Sequence, residues 1–488
     1  MSYDQYRTAL IEAFYQNQLE TLMSDYRPDR PTVILLPGIM GSQLECTNKP
    51  YPASDAVISE IIWMDLGIAW PKLDAKRLEI DLQKQDLDSF VVAPYGAVSF
   101  ATQTPYNELR DFARAPAQDW NYAVFGYDWR RPLTENSGYF KAFVRDFQQR
   151  VIDVFGSKND PIKNLTVVCH SMGGLVATNA LRDEKFSGLG FSAVVTIGTP
   201  FYGSAAAQNA FYVGMPGLLN SMYTAGTMVR LISSFPGAYS LMFLPQSVYQ
   251  RDGHTIGLPR YPELDPNGNV DVDPYDPSHA VMRRWPKDVK NHRQYLLDAR
   301  QQLEDISRPI NTNVAPAFFN VRSSLDETTA AEVHWNNVDG DAYVPGTSPS
   351  PVAGVAGPGD GTVPSWSAFH AYCRTNNRFE LKQAKVHGAL LEHPEVLSLI
   401  ASIVNKKKKQ PRAPTKRTAP AAASPVKLAS IVADWTKRAE AGKAPPPELF
   451  EKPVLRAMLT QLLNGPKPTI LKSSIKKSNP RKSDKKKR

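Results

Sequence analysis

The sequence predicts an α/β fold with a mostly parallel central sheet, a cap or lid insertion and a basic, partly disordered C-terminal tail. Two observations predict the sheet. Short apolar segments recur along the chain without polar alternation, as in strands that are covered on both faces. Segments in which apolar residues have helical spacing separate them, which is typical of βαβ units. A change to Lys-, Pro- and Ala-rich composition near residue 405 predicts the tail.

The individual elements follow from local patterns. Residues 1–24 are predicted to form an N-terminal helix, because their large apolar side chains fall roughly on one face. A second helix is predicted over 139–155, where Phe143, Phe147 and Val151 have near-helical spacing. The predicted strands are Thr32 to Leu36, Asn121 to Phe125, Leu165 to Cys169, Phe191 to Ile197 and Phe318 to Val321.

The chain is expected to contain one large catalytic domain over residues 25–405. Residues 201–310 interrupt the strand–helix alternation with a segment rich in Met, Tyr, Phe, Pro and Gly. A long insertion after a strand is more often a lid over a pocket than a structureless loop. Residues 406–488 form the predicted tail, in which weak helical patterns predict one or two short helices.

Composition limits the class and location of the protein. No run of about 18 apolar residues is present, and the first residues do not form a basic segment leading into an apolar one. We therefore expect no transmembrane helix or signal peptide and a cytoplasmic location, with peripheral membrane association as an alternative. Cys46, Cys169 and Cys373 are too few and too scattered for a disulfide framework or a zinc site. No metal and no cofactor are expected.

The net charge of +9 divides unevenly along the 488 residues. From Lys406 onward, 23 Lys and Arg face 5 Asp and Glu, a charge of +18, so residues 1–405 carry −9. Such a tail is either a solvated end or a surface that binds anionic membrane. Nucleic acid would satisfy the same charge, but Trp435 and Phe450 are the only aromatic residues there, so base stacking has little support.

A candidate nucleophile lies between a predicted strand and a predicted helix. The segment Cys169-His-Ser-Met-Gly173 differs by one residue from Gly-x-Ser-x-Gly, the pattern of a nucleophile elbow. In an elbow, a tight turn exposes the serine oxygen above the sheet. Cysteine is small enough to replace the first glycine. Ser171 is therefore predicted to be a nucleophile, with helix capping as the alternative role.

Partners for Ser171 follow in the order acid, then histidine, that hydrolases of this type use. Asp360 lies in the loop segment Gly359-Asp-Gly-Thr-Val-Pro364, and His387 lies just before a predicted helix. The imidazole would take the serine proton while the carboxylate fixes its tautomer. Asp326 is the alternative acid and His393 the alternative base.

An oxyanion hole requires two backbone N–H groups that point at the developing charge. Met172, directly after the nucleophile, is expected to supply one. The segment Leu36-Pro-Gly-Ile-Met-Gly-Ser42 follows an early strand and is expected to supply the other, from Ile39 or, as the second choice, Met40.

Six motifs together resemble the lecithin:cholesterol acyltransferase family, which includes phospholipid:diacylglycerol acyltransferases and lysosomal phospholipase A2-like enzymes. The resemblance covers about residues 30–405. The motifs are Leu35 to Leu44, Tyr127-Asp-Trp-Arg130, His170-Ser-Met-Gly-Gly174, Gly198-Thr-Pro200, Ser234 to Tyr239 with Leu244-Pro245, and Gly359 to Pro364.

The resemblance implies an α/β-hydrolase fold with a lid, a lipid-acyl pocket and a serine triad. On this chain the triad would be Ser171, Asp360 and His387, with Ile39 and Met172 as oxyanion donors. Trp63, in Ile62-Trp-Met-Asp65, resembles a tryptophan near the lid, and we group it with Met40 as a substrate-binding residue.

The sequence thus predicts a lipid acyl hydrolase or O-acyltransferase that forms an acyl-enzyme. The alternative is a catalytically silent hydrolase-like protein that tethers to nucleic acid or an anionic surface through its tail.

Overall fold

A computed structural model describes the fold over thirteen stretches of the chain. The predicted tail and about half of the predicted lid lie outside them. No helix in these stretches is both long and apolar enough to cross a membrane. The described residues are 3–47, 59–63, 75–80, 92–97, 106–213, 225–244, 248, 275–276, 292–327, 329–330, 338–339, 342–343 and 356–405.

The strands fall into one large sheet and smaller ones. They are β1 (Thr32–Leu36), β2 (Ser42–Thr47), β3 (Ser59–Trp63), β4 (Val92–Ala97), β5 (Asn121–Val124), β6 (Leu165–His170), β7 (Ala193–Ile197), β8 (Phe318–Arg322), β9 (Thr329–Ala330), β10 (Val338–Asp339), β11 (Ala342–Tyr343), β12 (Ala356–Gly357) and β13 (Arg378–Glu380).

The helices lie between these strands and at the two ends of the described chain. They are α1 (Tyr3–Ser24), α2 (Ala75–Leu78), α3 (Asn107–Arg114), α4 (Leu133–Phe155), α5 (Met172–Ala180), α6 (Glu184–Ser187), α7 (Ala205–Val213), α8 (Ala225–Ser233), α9 (Pro236–Tyr239), α10 (His292–Ser307) and α11 (Pro394–Val404).

The central sheet has six strands in the order β13-β8-β7-β6-β1-β5, and every neighbouring pair is parallel. All residues of β1, β6 and β7 are buried, which explains why these strands are apolar without alternation. β6 lies in the middle of the sheet, with β1 on one side and β7 on the other. The residues that follow these three strands therefore meet at one edge, where ligands bind in open α/β sheets. The predicted α/β-hydrolase-like fold with its mostly parallel sheet is confirmed.

The predicted strands agree with the observed ones to within two residues at either end. α1 also agrees, whereas α4 begins six residues earlier than predicted. Its first turn follows Pro132, and polar Asn136 and Ser137 are buried there, which a search for apolar spacing does not detect. The antiparallel sheet β3-β2-β4 and the short edge strand β13 were not predicted.

The helices cover both faces of the central sheet and form two apolar clusters. One contains α1, α4 and α5, and the other contains α3 and α11. The Tyr15 ring of α1 stacks on Phe125 with the ring centroids 4.9 Å apart, and its hydroxyl donates to the carbonyl of Gly126 at 3.1 Å. Arg7 forms a salt bridge with Glu135 at 2.5 Å. Helix α1 is therefore part of the same fold as the sheet.

Candidate active site

Ser171 occupies a strained turn between β6 and α5. Its φ is 51° and its ψ is −125°, and it is one of three residues other than glycine with positive φ among those described. Its amide donates to the carbonyl of Ile197, at the end of β7, at 2.9 Å. Such backbone costs about 1–3 kcal/mol and is concentrated at functional sites. This geometry is that of the predicted elbow.

The elbow depends on two glycines that let α5 approach the sheet. A Cβ atom at Gly173 would lie 2.5 Å from the carbonyl oxygens of both Leu36 and Pro37, and one at Gly174 would lie 2.0 Å from Oγ1 of Thr199. Any larger residue at either position would force these neighbours to shift. Cys169, which replaces the first glycine of the motif, is fully buried, and burial raises the pKa of its thiol, so the side chain packs as a neutral apolar group.

Asp360 and His387 form a hydrogen-bonded pair beside this turn. The distance from Oδ2 of Asp360 to Nδ1 of His387 is 2.7 Å, and the His387 amide donates to the Asp360 carbonyl at 2.9 Å. Oδ1 of Asp360 accepts from the amides of Thr362 and Val363 at 3.1 and 2.7 Å. Both members of the pair are at least 98% buried. The carboxylate therefore holds the imidazole with Nε2 free to take a proton.

The two alternative residues have other roles. Asp326 pairs with Gly359 through backbone hydrogen bonds in both directions, at 2.9 and 3.1 Å. His393 caps α11, because its Nδ1 accepts from the amide of Glu395 at 3.2 Å. The structure thus pairs His387 with Asp360, the first choice of acid.

Gly198 brings the Asp360–His387 pair next to Ser171. It follows Ile197, the residue that accepts from the Ser171 amide, and its own φ is 59°. A Cβ atom there would lie 3.0 Å from Oδ2 of Asp360 and 3.1 Å from Nδ1 of His387. Ser171 Oγ donates no hydrogen bond to any of the described residues. Hydrogen bonds between catalytic groups often tighten only when substrate binds.

The segment predicted to form the oxyanion hole is a tight turn against Ser171. The Gly41 amide donates to the Gly38 carbonyl at 3.0 Å, and Met40 within this turn has a φ of 62°. A Cβ atom at Gly38 would lie 3.0 Å from Cβ and 3.5 Å from Oγ of Ser171. Within the described chain, the amides of Ile39 and Met172 donate no hydrogen bond. Neither N–H group is therefore engaged elsewhere in the described residues, and the oxyanion role of Ile39 and Met172 stays a prediction.

Aromatic side chains from two other segments hold this turn in place. The Tyr127 hydroxyl donates to the Pro37 carbonyl at 2.8 Å, and the Trp129 indole donates to the Ser42 carbonyl at 3.1 Å. The Trp63 indole donates to the Met40 carbonyl at 2.9 Å. Trp63 and Met40 are 3% and 6% exposed. The two residues predicted to bind substrate therefore contact each other in the turn, and a role in substrate binding stays a prediction.

Three residues of the site were not predicted from the sequence. His170 lies 3.1 Å from the Tyr106 hydroxyl through Nδ1 and 3.0 Å from the His387 carbonyl through Nε2. Burial, and secondarily the nearby His387, lowers the pKa of His170 to about 3, so its ring is neutral. His170 directly precedes Ser171, and this position could have indicated that it belongs to the site. Gly198 directly follows the predicted strand Phe191 to Ile197 and begins the motif Gly198-Thr-Pro200. Tyr106 carried no signal, because only the fold brings it to the site.

Comparison with known families supports the fold. Residues 96–233, from the end of β4 through α8, match the family described as PGAP1-like alpha/beta domain. The matched segment includes β6, Ser171 and α5. Together with the sheet order, this match indicates an α/β-hydrolase-type domain. The narrower resemblance to the lecithin:cholesterol acyltransferase family stays a prediction.

The chain is also similar to the uncharacterized protein YJR098C of Saccharomyces cerevisiae (strain ATCC 204508 / S288c). The identity is 26% over 179 residues, which are 35% of this chain and only 23% of the yeast protein.

Two solved structures resemble the fold at low identity. One is the Tle4–Tli4 complex, with 13% identity and a TM-score of 0.48, covering 78% of this chain and 99% of the matched one. The other is mature Bacillus licheniformis lipase BlEst2, with 14% identity and a TM-score of 0.32, covering 77% and 93%. Similarity at this level says nothing about substrate.

Proposed function

We propose that the protein is a serine-dependent ester hydrolase in which Ser171 is acylated by the substrate. The observation that carries this proposal is the 2.7 Å hydrogen bond between Asp360 and His387 beside the strained Ser171 turn. A serine that only capped a helix would need neither positive φ nor this pair. The cap role also lacks support, because the Ser171 side chain accepts no capping hydrogen bond from α5.

The reaction follows from the groups present. Ser171 Oγ attacks the ester carbonyl carbon, and His387 Nε2 takes the hydroxyl proton. The carbonyl oxygen becomes an oxyanion, which accepts hydrogen bonds from the amides of Ile39 and Met172, each worth about 3–4 kcal/mol in such sites. The intermediate collapses, the alcohol leaves with the proton from His387, and an acyl-enzyme remains. Water attacks the acyl-enzyme while His387 takes a proton from it. Collapse of the second intermediate breaks the bond to Ser171 Oγ, which receives that proton from His387, and the acid is released.

We further propose that the ester is a lipid. The six motifs shared with the lecithin:cholesterol acyltransferase family, and a tail of charge +18 that would draw the protein to anionic bilayers, support this choice. An alcohol can replace water as the acceptor, which would make the protein an O-acyltransferase. The acceptor depends on how well the predicted lid excludes water.

A fluorophosphonate probe tests the nucleophile. The Ser171 oxygen forms a bond to phosphorus and fluoride leaves, so the intact protein should be labelled and Ser171→Ala should not. Ser402→Ala is the matched control, because Ser402 is exposed on α11 and donates only to a backbone carbonyl of its own helix. Absence of labelling in the intact protein would contradict the proposal and favour the catalytically silent tethering protein.

Product analysis tests the substrate. Phosphatidylcholine vesicles with a labelled acyl chain are incubated with the protein, with and without a long-chain alcohol or a sterol. Labelled free fatty acid that is absent with Ser171→Ala would identify a hydrolase. A labelled ester of the added alcohol would identify an acyltransferase. Labelling by fluorophosphonate without either product would contradict the lipid assignment but not the nucleophile.

A further inference from the structure

A buried series of hydrogen bonds connects the Gly38–Gly41 turn with His387. It passes through Tyr106 and through His170, the residue directly before Ser171. The Tyr106 hydroxyl accepts from the Gly38 amide at 3.0 Å and lies 3.1 Å from Nδ1 of His170. Nε2 of His170 lies 3.0 Å from the carbonyl oxygen of His387. Tyr106 and His170 are each 2% exposed, so water does not compete for these bonds.

The donors and acceptors in this series are fixed by chemistry. A carbonyl oxygen only accepts, so Nε2 of His170 carries the hydrogen. In a neutral ring Nδ1 then accepts, and its donor is the Tyr106 hydroxyl. That hydroxyl oxygen in turn accepts from the Gly38 amide. Each group in the series therefore donates a hydrogen bond to the next one. A second proton on His170, at Nδ1, would point at the Tyr106 oxygen, and the hydroxyl hydrogen of Tyr106 would have to turn away.

The series connects the backbone of the proposed oxyanion donor with that of the proposed base, and the reaction requires these two groups to be aligned. At one end, Gly38 immediately precedes Ile39, the proposed oxyanion donor. At the other end, His387 is held by Asp360 through both its amide and Nδ1, and His170 holds its carbonyl. His170 and His387 are 217 residues apart in sequence. The attacking oxygen, the base and the oxyanion donor must be aligned within a fraction of an ångström for efficient catalysis.

We propose that His170 and Tyr106 are positioning residues, which fix the backbone of His387 relative to the Gly38–Gly41 turn on either side of Ser171. This inference rests on the proposed serine esterase function. Neither side chain is expected to touch substrate, because both are buried and both ring nitrogens of His170 are already engaged.

Substitutions at the two positions test the proposal. Tyr106→Phe removes the central hydroxyl, and His170→Leu removes both ring nitrogens. His170→Gln keeps an amide N–H that can reach the His387 carbonyl. Tyr122→Phe is the control, because Tyr122 is also a buried tyrosine, and its hydroxyl has no hydrogen-bond partner within the described structure.

Turnover of a short-chain p-nitrophenyl ester is measured per active site, titrated with fluorophosphonate so that misfolded protein is not counted. We expect kcat to fall about 10-fold in Tyr106→Phe and roughly 100-fold in His170→Leu, with KM within about twofold. His170→Gln should recover most of the loss. Tyr122→Phe should match the unmodified protein. Titrated kcat values within about twofold of normal in both Tyr106→Phe and His170→Leu would overturn the proposal.

A second measurement does not require turnover. The proton on Nδ1 of His387, shared with Asp360, is expected to give a downfield proton NMR signal that His387→Gln removes. Tyr106→Phe and His170→Leu should shift this signal, and Tyr122→Phe should not. If the intact protein is neither labelled nor active, the proposed function fails, and the NMR signal alone decides the positioning role. A signal unchanged in both variants would then overturn it.

Discussion

Both oxygens of the Asp360 carboxylate take part in hydrogen bonds inside the folded protein. One oxygen accepts from two backbone amides, and the other is bonded to His387. Six acidic residues lie between β8 and β13 in sequence, and Asp360 and Asp326 are the two candidates among them. Proximity in sequence to β8 would favour Asp326. The backbone pairing of Asp326 with Gly359 gives it a different task, which is to hold the loop that carries Asp360.

Asp360→Asn should abolish most activity while leaving the fold intact. The amide would favour the wrong imidazole tautomer, and we expect kcat to fall by about 10⁴-fold. The measurement is ester turnover per folded molecule, with folding checked by thermal unfolding. Asp326→Asn is the comparison, and it should retain kcat within about tenfold. The reverse order of the two effects would mean that the acid is Asp326.

The neutral state of His170 makes the stability of the protein depend on pH. The pKa of His170 in the folded state is about 3, against 6.5 for a free imidazole, because burial opposes the charge. Between these values the unfolded chain binds more protons, so the free energy of unfolding falls as pH falls. The groups that face His170 are the Tyr106 hydroxyl and the His387 ring, with Asp360 beyond it.

His170→Gln should remove this dependence. Below pH 6.5, the free energy of unfolding of the unmodified protein should fall faster than that of the variant, by up to about 1.4 kcal/mol per pH unit. Urea unfolding at intervals from pH 7 to pH 4.5 measures the difference. Parallel curves for the two proteins would show that His170 takes up its proton equally in both states.

At the scale of elements, the junction of β1, β6 and α5 sets the position of Ser171, the proposed nucleophile. The first turn of α5 approaches the carbonyl end of β1 so closely that any residue larger than glycine at position 173 would force a shift. The loop after β5 supports the same region, since Tyr127 donates to Pro37, directly after β1, and Trp129 donates to Ser42, the first residue of β2. Asp128 and Arg130 of this loop form a buried salt bridge at 2.8 Å, and Arg130 also donates to the Leu78 carbonyl at the end of α2.

Gly173→Ala should displace α5 from β1. The added methyl group would meet two carbonyl oxygens at 2.5 Å, so the free energy of unfolding should fall by about 1–3 kcal/mol and labelling of Ser171 should slow. Gly138→Ala in α4 is the control, because a Cβ atom there has no neighbour within 4 Å. It should raise the free energy of unfolding by about 0.5–1 kcal/mol. Urea unfolding distinguishes the two, and equal effects would contradict the close approach.

At the scale of the whole molecule, one edge of the central sheet brings together the proposed triad and the Gly38–Gly41 turn. The turn after β1, the elbow after β6 and the glycine after β7 meet there, and the segments after β8 and β13 add Asp360 and His387. The described fold ends at Asn405, whose side chain bonds Trp120 and Gln118 at 3.3 and 2.9 Å. The basic tail begins directly after this anchored residue.

Truncation after Asn405 should separate membrane attraction from catalysis. We expect the shortened protein to keep its melting temperature and its turnover of a short soluble ester. Its binding to phosphatidylserine-containing vesicles should weaken, since each basic residue near such a surface contributes about 1 kcal/mol. Vesicle sedimentation at low and high salt measures the change, with pure phosphatidylcholine vesicles as the neutral control. Equal binding before and after truncation would contradict a membrane role for the tail.

Local pattern alone was enough for five of the six strands of the central sheet, and for helix α1. Buried parallel strands such as β1 and β6 are continuously apolar, and an elbow needs small residues beside its serine, so both are visible in the sequence. The proposed triad of Ser171, Asp360 and His387 was also chosen from the sequence, because hydrolases of this fold carry nucleophile, acid and histidine in that order. The lipid substrate and the role of the tail stay predictions.

Only the tertiary structure decided which groups touch. The choice of Asp360 over Asp326 depends on loops that approach each other in space, and sequence spacing does not encode that approach. Tyr106 reaches the site because α3 packs against the sheet, and His170 bonds a carbonyl 217 residues away. A hydrogen bond requires two atoms within about 3 Å, and for residues far apart in the chain that distance is fixed by packing, not by local preference.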